Sequence, residues 1–72
     1  MGIIENNIRQ RIGAELRALR EAKGLTTREL AELAGLGHSH IAKMERGAYN
    51  FRVDTLHKVA TALSAEIRIE KK

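Results

Sequence analysis

Apolar residues recur at helical spacing along most of this chain. The first stripe contains five large apolar residues: Ile4, Ile8, Ile12, Leu16 and Leu19. They follow one another at steps of three or four, which predicts a long helix over about 4–23. Gly13 lies within the stripe and costs up to about 1 kcal/mol relative to alanine, a loss that the stripe can absorb. Lys23 and Gly24 then form a helix-stop signal.

A second, shorter helix is predicted over about 27–34. Thr26 is followed three residues later by Glu29, the spacing of a capping box, and Leu25 can pack against Leu30 as a hydrophobic staple. The apolar face of this helix contains Leu30, Ala31 and Ala34. Gly35 ends the helix, because glycine adopts a positive φ without a Cβ penalty.

A third helix is predicted over about 38–46, between Gly37 as its N-cap and Gly47 as its stop. Ile41 and Met44 form its inward face. Three polar residues line the opposite side at i, i+4 and i+7: Ser39, Lys43 and Arg46. The second and third helices are thus joined by a tight turn, with a polar and cationic face on the third.

The last part of the chain changes its period. A fourth helix is predicted over about 53–63, with an apolar stripe formed by Val53, Leu56, Val59, Ala60 and Leu63. Beyond it, Ile67 and Ile69 alternate with charged residues, which predicts a half-buried strand over about 65–70. Since no other segment reads as a strand, its expected partner is the same strand of a second copy. The alternative is a frayed C-terminal extension.

The start of the first helix also lacks an obvious core within one subunit. We expect Ile4 and Ile8 to cover the tail strand or the partner subunit, so that these two residues and Ile67 and Ile69 form a homodimer interface. The alternative is a disordered start.

Composition narrows the class of protein. Seventy-two residues allow one domain, here 1–72, and the net charge of +4 favours polyanionic partners, nucleic acid first. A solvated basic surface is the alternative. One Tyr and one Phe argue against stacking on unpaired strands. With no cysteine, no apolar run of about 20 residues and no signal-peptide pattern, we expect a cytoplasmic protein that is not bound to a membrane.

The segment LRALREAKGLTTRELAELAGLGHSHIAKMERG, followed by VDTLHKVATAL, resembles the helix-turn-helix family of phage repressors, Cro proteins and related bacterial regulators, the XRE-like group. The resemblance covers about residues 9–63. It implies a compact all-α domain of four to five helices, whose third helix enters the major groove of double-stranded DNA. The predicted tail strand is similar to that of antitoxin-type members, in which such a strand pairs across a dimer.

The resemblance also implies roles for individual residues. His38 and Ser39 match the positions of base-reading side chains, and His40 and Lys43 are further candidates. Many members carry glutamine at the His38 position, so the base preference does not carry over. Thr27 matches a position that often binds the DNA backbone.

Arg20 and Glu45 match residues that form an ion pair between helices one and three in some members. We interpret this pair as structural, although Arg20 lies at the border of the apolar stripe and is alternatively a solvated cation.

Phosphate contacts are predicted from the cations near the second and third helices. Arg28 lies in the first turn of helix two, Arg46 on the outer face of helix three and Arg52 in the following loop. Ordinary solvation is the alternative for each of them taken alone.

No catalytic or metal-binding pattern is present in the sequence. His38 and His40 are two residues apart and diverge on a helix, so no metal site, cofactor or enzymatic activity is expected. The expected function is that of a sequence-specific, homodimeric DNA-binding protein, a transcriptional repressor on a palindromic operator. The alternatives are an antitoxin whose main partner is a toxin protein and a nonspecific architectural DNA binder.

Overall fold

The described residues form four helices, connected by short turns. A computed structural model describes the backbone of residues 2–48 and 50–68, and the side chains of residues 8–48 and 50–68. The helices are α1 (Gly2–Ala22), α2 (Thr27–Ala34), α3 (His38–Arg46) and α4 (Val53–Ala62). The predicted bounds of α2 and α3 are confirmed, and those of α1 and α4 differ by one or two residues. The described part of the chain is therefore all-α.

The core lies where the four helices meet, with α3 packed against α1 and α2, and α4 against α2. Its buried side chains are Leu16, Leu30, Ala31, Ile41, Met44, Val59, Ala60 and Leu63. Each of these belongs to a predicted apolar stripe. Val53 is the exception among the predicted inward residues of helix four, since 74% of it is exposed. It is the first residue of α4, and the inward face of this helix begins one turn later, at Leu56.

Each of these four helices ends in the same hydrogen-bonded turn. A residue of positive φ follows the helix, and the next residue's N–H donates to a carbonyl five positions back, as in a Schellman motif. The positive-φ residues are Gly24, Gly35, Gly47 and Ser64. The three glycines are those that the sequence predicts as stops. The fourth stop is a serine at φ 57°, which carries a Cβ that glycine lacks.

The predicted C-terminal strand is not supported, because residues 65–68 have no strand conformation; residues 69–70 lie outside the described residues. The Ala65 N–H donates to the Ala60 carbonyl at 2.8 Å, and this bond folds the chain back onto the end of α4. Ala65 then packs against the core, and Ile67 lines an apolar groove between α1 and α4. Alternating polarity alone does not form a strand without a neighbouring strand to share its hydrogen bonds.

Gly13 has a different role from the one expected. The sequence suggests only a loss of helix propensity, but Gly13 is buried where α1 crosses the end of α3. A Cβ at this position would lie 2.5 Å from the carbonyl oxygen of Glu45 and closer still to that of Met44. The two helix backbones therefore touch directly, and only glycine allows this approach.

Candidate nucleic-acid interface

The start of α2 is fixed by its N-terminal cap. The Thr26 hydroxyl accepts from the Glu29 N–H at 3.0 Å, and the Glu29 carboxylate accepts from the Thr26 N–H at 2.8 Å. These reciprocal bonds satisfy two backbone donors of the helix end, and they confirm the predicted capping box. They also leave Thr27 and Arg28 in the first turn of α2, where backbone N–H groups favour anions.

A three-residue turn sets the angle between α2 and α3. Gly35 has φ 72°, and the Leu36 N–H donates to the Ala31 carbonyl at 2.9 Å while the Leu36 side chain packs against the core. Gly37 is extended, at φ −75° and ψ 149°, and acts as the N-cap of α3. The His40 N–H donates to its carbonyl at 3.1 Å. The turn is thus fixed by the packing of Leu36 against the core and by these backbone hydrogen bonds.

The burial of Ile41 and Met44 determines which side of α3 faces outward. Both side chains lie in the core, so the opposite face of the helix is open. Ser39 and Lys43 are exposed there, and His38 is exposed as the first residue of the helix. His40 is half-buried and interacts with other groups of the chain. The four candidate base-contacting residues therefore lie on α3, three of them exposed.

The candidate phosphate-binding residues lie on α2, on α3 and at the start of α4. Arg28 is exposed at the start of α2, and Thr27 beside it is half-buried. Arg46 is exposed in the last turn of α3. Arg52 is exposed as the N-cap residue of α4. These exposed cations are the kind of side chain that phosphate neutralisation requires.

Arg20 and Glu45 form a part-buried, bidentate ion pair. The Arg20 Nε donates to Glu45 Oε2 at 2.6 Å, and its second terminal nitrogen donates to Oε1 at 3.0 Å. The hydrogen bond to Glu45 raises the pKa of Arg20 above its ordinary value, against the lowering effect of burial. The remaining terminal nitrogen donates to the Leu25 carbonyl at 2.8 Å. One side chain thereby ties α3 to α1 and to the residue before the α2 cap.

Sequence reasoning missed a second link between α1 and the end of α3. A terminal nitrogen of Arg9 donates to the side-chain oxygen of Asn50, across 41 positions of sequence. Gly47 lies beside it: a Cβ there would be 2.8 Å from the Gln10 nitrogen and 3.0 Å from the Arg9 carbonyl carbon. No periodicity connects residues so far apart, so a single sequence carries no signal for this link.

The described residues contain no group of three or more His, Cys, Asp or Glu side chains placed to hold a metal ion. Within the same residues, no helix has both the length and the apolar character needed to cross a bilayer. The candidate functional site in the described residues is therefore the unit formed by α2, the turn and α3.

Residues 11–68 match the family profile described as "Helix-turn-helix domain", and this match decides the family. The chain belongs to this family. It is similar to the HTH-type transcriptional regulator y4dL of Sinorhizobium fredii, a protein with no characterised function, at 41% identity over 63 residues. It is also similar to the immunity repressor of Bacillus phage phi105, at 39% identity over 56 residues.

These matches cover 88% and 78% of this chain but 32% and 39% of the two relatives, so the helix-turn-helix chain spans about a third of their length. Among solved structures, it is similar to the restriction-modification controller protein C.AhdI of Aeromonas hydrophila, with a TM-score of 0.80 and 41% identity. That match covers 85% of this chain and 88% of the controller. The chain is therefore a helix-turn-helix domain of the kind found in transcription regulators.

Proposed function

We propose that this chain binds double-stranded DNA by inserting α3 into the major groove. The observation that carries the proposal is the division of α3 into two sides: Ile41 and Met44 are in the core, while Ser39 and Lys43 are exposed on the other side and His38 is exposed at the start of the helix. A helix with one buried face and one exposed polar and cationic face can lie in a groove about 12 Å wide without disturbing the fold.

Within this proposal, base reading falls to the exposed polar side chains of α3. His38 and Ser39 can each form a hydrogen bond with a base edge, and Lys43 favours the acceptors of guanine. His40, being half-buried, is the least accessible of the four candidates. Thr27, Arg28, Arg46 and Arg52 bind phosphates and fix the register of the domain on the duplex.

We further propose that the protein acts as a homodimeric repressor, which blocks a promoter by occupying a palindromic operator. Apolar surface on α1 and on the tail supports a self-association site: Ile8 is exposed, and Ile67 is 43% exposed beside a groove lined by Ile12 and Leu19. Ile4 and Ile69, the other predicted interface residues, lie outside the side chains that the structure describes. Half-sites would be spaced by about 10 bp or a multiple of it.

The antitoxin alternative is not supported: one of the two features that permitted it was a tail strand, which residues 65–68 do not form, and the other was the short length of the chain. A nonspecific architectural role remains as an outcome of the binding test.

The proposal is tested by selecting duplexes from a random pool and measuring affinity for the recovered sequence. Specific binding should survive random competitor by a factor of at least about 10³, whereas an architectural binder would be displaced. Lys43→Glu should weaken binding by about 1–3 kcal/mol or more, the value of one base contact. Lys58→Glu, at an exposed position of α4, makes the same charge change as a control. Equal losses from the two variants would refute the placement of α3 in the groove.

The dimer is tested separately by sedimentation. Ile67→Asp should lower the sedimenting mass towards that of the monomer, because it places a charge in the proposed interface. Leu33→Asp is the matched control, since Leu33 is 62% exposed on α2, beside His57 and Lys58 rather than the tail. If the Ile67 variant sediments like the parent protein, the interface lies elsewhere.

A further inference from the structure

The segment between α3 and α4 is attached to α1 at two adjacent points. The backbone of Gly47 lies directly on the backbone of Arg9 and Gln10, too close for a Cβ. Three residues further on, the side chain of Asn50 accepts a hydrogen bond from Arg9. Neither contact lies on the outer face of α3, and neither involves a residue of the buried core.

These attachments immediately precede a proposed phosphate-binding residue. Phe51 packs against the core, and Arg52 follows as the N-cap of α4, with its own side chain exposed. Asn50 and Arg52 thus flank one anchored side chain. The bond to Asn50 and the packing of Phe51 together restrain the direction in which the backbone enters Arg52, and less conformational entropy remains to be lost when its guanidinium binds a phosphate.

We propose that Arg9 is a positioning residue for DNA binding: it holds Asn50 so that Arg52 is presented to the DNA backbone in its binding arrangement. Arg9 acts through Arg52 and need not touch DNA itself. The inference rests on the proposed DNA-binding function, and it adds a contact outside the α2–turn–α3 unit. It also assigns a role to an arginine that lies far from α3 in sequence.

Asn50→Ala is the informative variant, because it breaks the link to Arg9 without changing the net charge. The probe is a fluorescein-labelled 30-bp duplex of mixed sequence at low salt, since phosphate contacts do not depend on sequence. We expect Asn50→Ala and Arg52→Ala each to weaken binding by about threefold to tenfold, and the double variant to be no weaker than Arg52→Ala alone. Asn50→Ala should also reduce the log–log salt slope by up to about 0.9, which a purely structural role would not do.

Arg9→Lys provides a second, independent variant that keeps the charge but loses the guanidinium geometry. It should match Asn50→Ala, while Arg11→Lys, at the exposed position two residues along α1, should bind like the parent protein. The inference would be overturned if the fold-losses in affinity of Asn50→Ala and Arg52→Ala multiply in the double variant. It would also be overturned if Asn50→Ala leaves both the affinity and the salt slope unchanged. If the parent protein binds no duplex, the DNA-binding proposal fails instead, so the two failures are distinguishable.

Discussion

Arg20 and Glu45 meet in two hydrogen bonds across the α1–α3 contact, with 12% and 8% of their side chains exposed. Arg20 also bonds the Leu25 carbonyl, so every terminal nitrogen of its guanidinium group has an acceptor. Removing either partner would leave a largely buried charge without its counter-ion, which is costlier than losing an exposed pair.

We therefore expect Glu45→Ala to lower the free energy of unfolding by about 3 kcal/mol, measured by urea denaturation. The chain offers a matched control in Arg17 and Glu21, which pair at 3.2 Å with 63% and 55% of their side chains exposed. Arg17→Ala breaks this exposed pair but keeps Glu21, whose charge also acts on Arg20, and it should cost no more than about 0.5 kcal/mol. Similar losses at the two sites would show that burial does not strengthen the Arg20–Glu45 pair.

The pH dependence of this pair follows from the raised pKa of Arg20. A cation whose pKa is higher in the folded state stabilises the fold fully below its unfolded-state pKa, and this contribution is lost as the pH rises through the folded-state pKa. Both the folded-state and the unfolded-state pKa of Arg20 lie above pH 9, so Arg20 stays charged in both states between pH 7 and pH 9. The loss of unfolding free energy caused by Arg20→Met should therefore be the same throughout this range. A loss of that effect within this range would contradict the assignment.

Gly13→Ala tests the close approach of α1 and α3, because two effects predict opposite signs for the change in the free energy of unfolding. Helix propensity alone predicts a gain of about 1 kcal/mol for this change. The contact of α1 with the carbonyls of Met44 and Glu45 predicts the opposite, a loss of about 1–3 kcal/mol, since backbone atoms must move apart. Urea denaturation measures the difference, and Glu15→Ala, at an exposed position of the same helix turn, should change stability little. A stabilised Gly13→Ala variant would refute the close approach of the helices.

Ser64 offers a stabilising change. It holds φ 57° at the end of α4, where the other three helices have glycine. Ser64→Gly should raise the free energy of unfolding by about 1 kcal/mol, because it removes the Cβ strain of the left-handed conformation. Ser64→Ala removes the hydroxyl but keeps the Cβ, so it should give no such gain in thermal unfolding. Equal effects of the two variants would assign the change to the hydroxyl.

Salt dependence tests the proposed phosphate contacts as a group. If about four phosphates are neutralised per subunit, the logarithm of the binding constant should fall with the logarithm of salt concentration at a slope near −4 per subunit. Arg28→Ala should reduce the magnitude of this slope by about one, measured by fluorescence anisotropy over a salt series. A slope unaffected by Arg28→Ala would remove this residue from the interface.

The features that could be predicted from the sequence are those encoded over a few residues. The bounds of α2 and α3 follow from the Thr26–Glu29 cap and from glycines at the turns, and these local signals leave few alternatives. The burial of Ile41 and Met44 follows from helical spacing, and it fixes which side of α3 faces outward.

The rest depends on contacts between distant segments. Gly13 looks like a weak point in α1 until α3 is placed against it, and Arg9 has no visible relation to Asn50 until both are in space. Alternation at Ile67 and Ile69 predicts a strand, but residues 65–68 fold against the end of α4 instead. A pattern of polarity specifies which side chains avoid water, and several backbone conformations can satisfy it.

The backbone contact at Gly13 has a consequence for how this domain can change its target. The depth of α3 is set by main-chain atoms of α1 and by buried apolar side chains, none of which lies on the outer face. In the proposed binding mode, exchange of His38, Ser39 or Lys43 would therefore alter which bases are read while the helix keeps its place. New operator preferences could then be built on this scaffold, by design or by natural variation, without first rebuilding its interior.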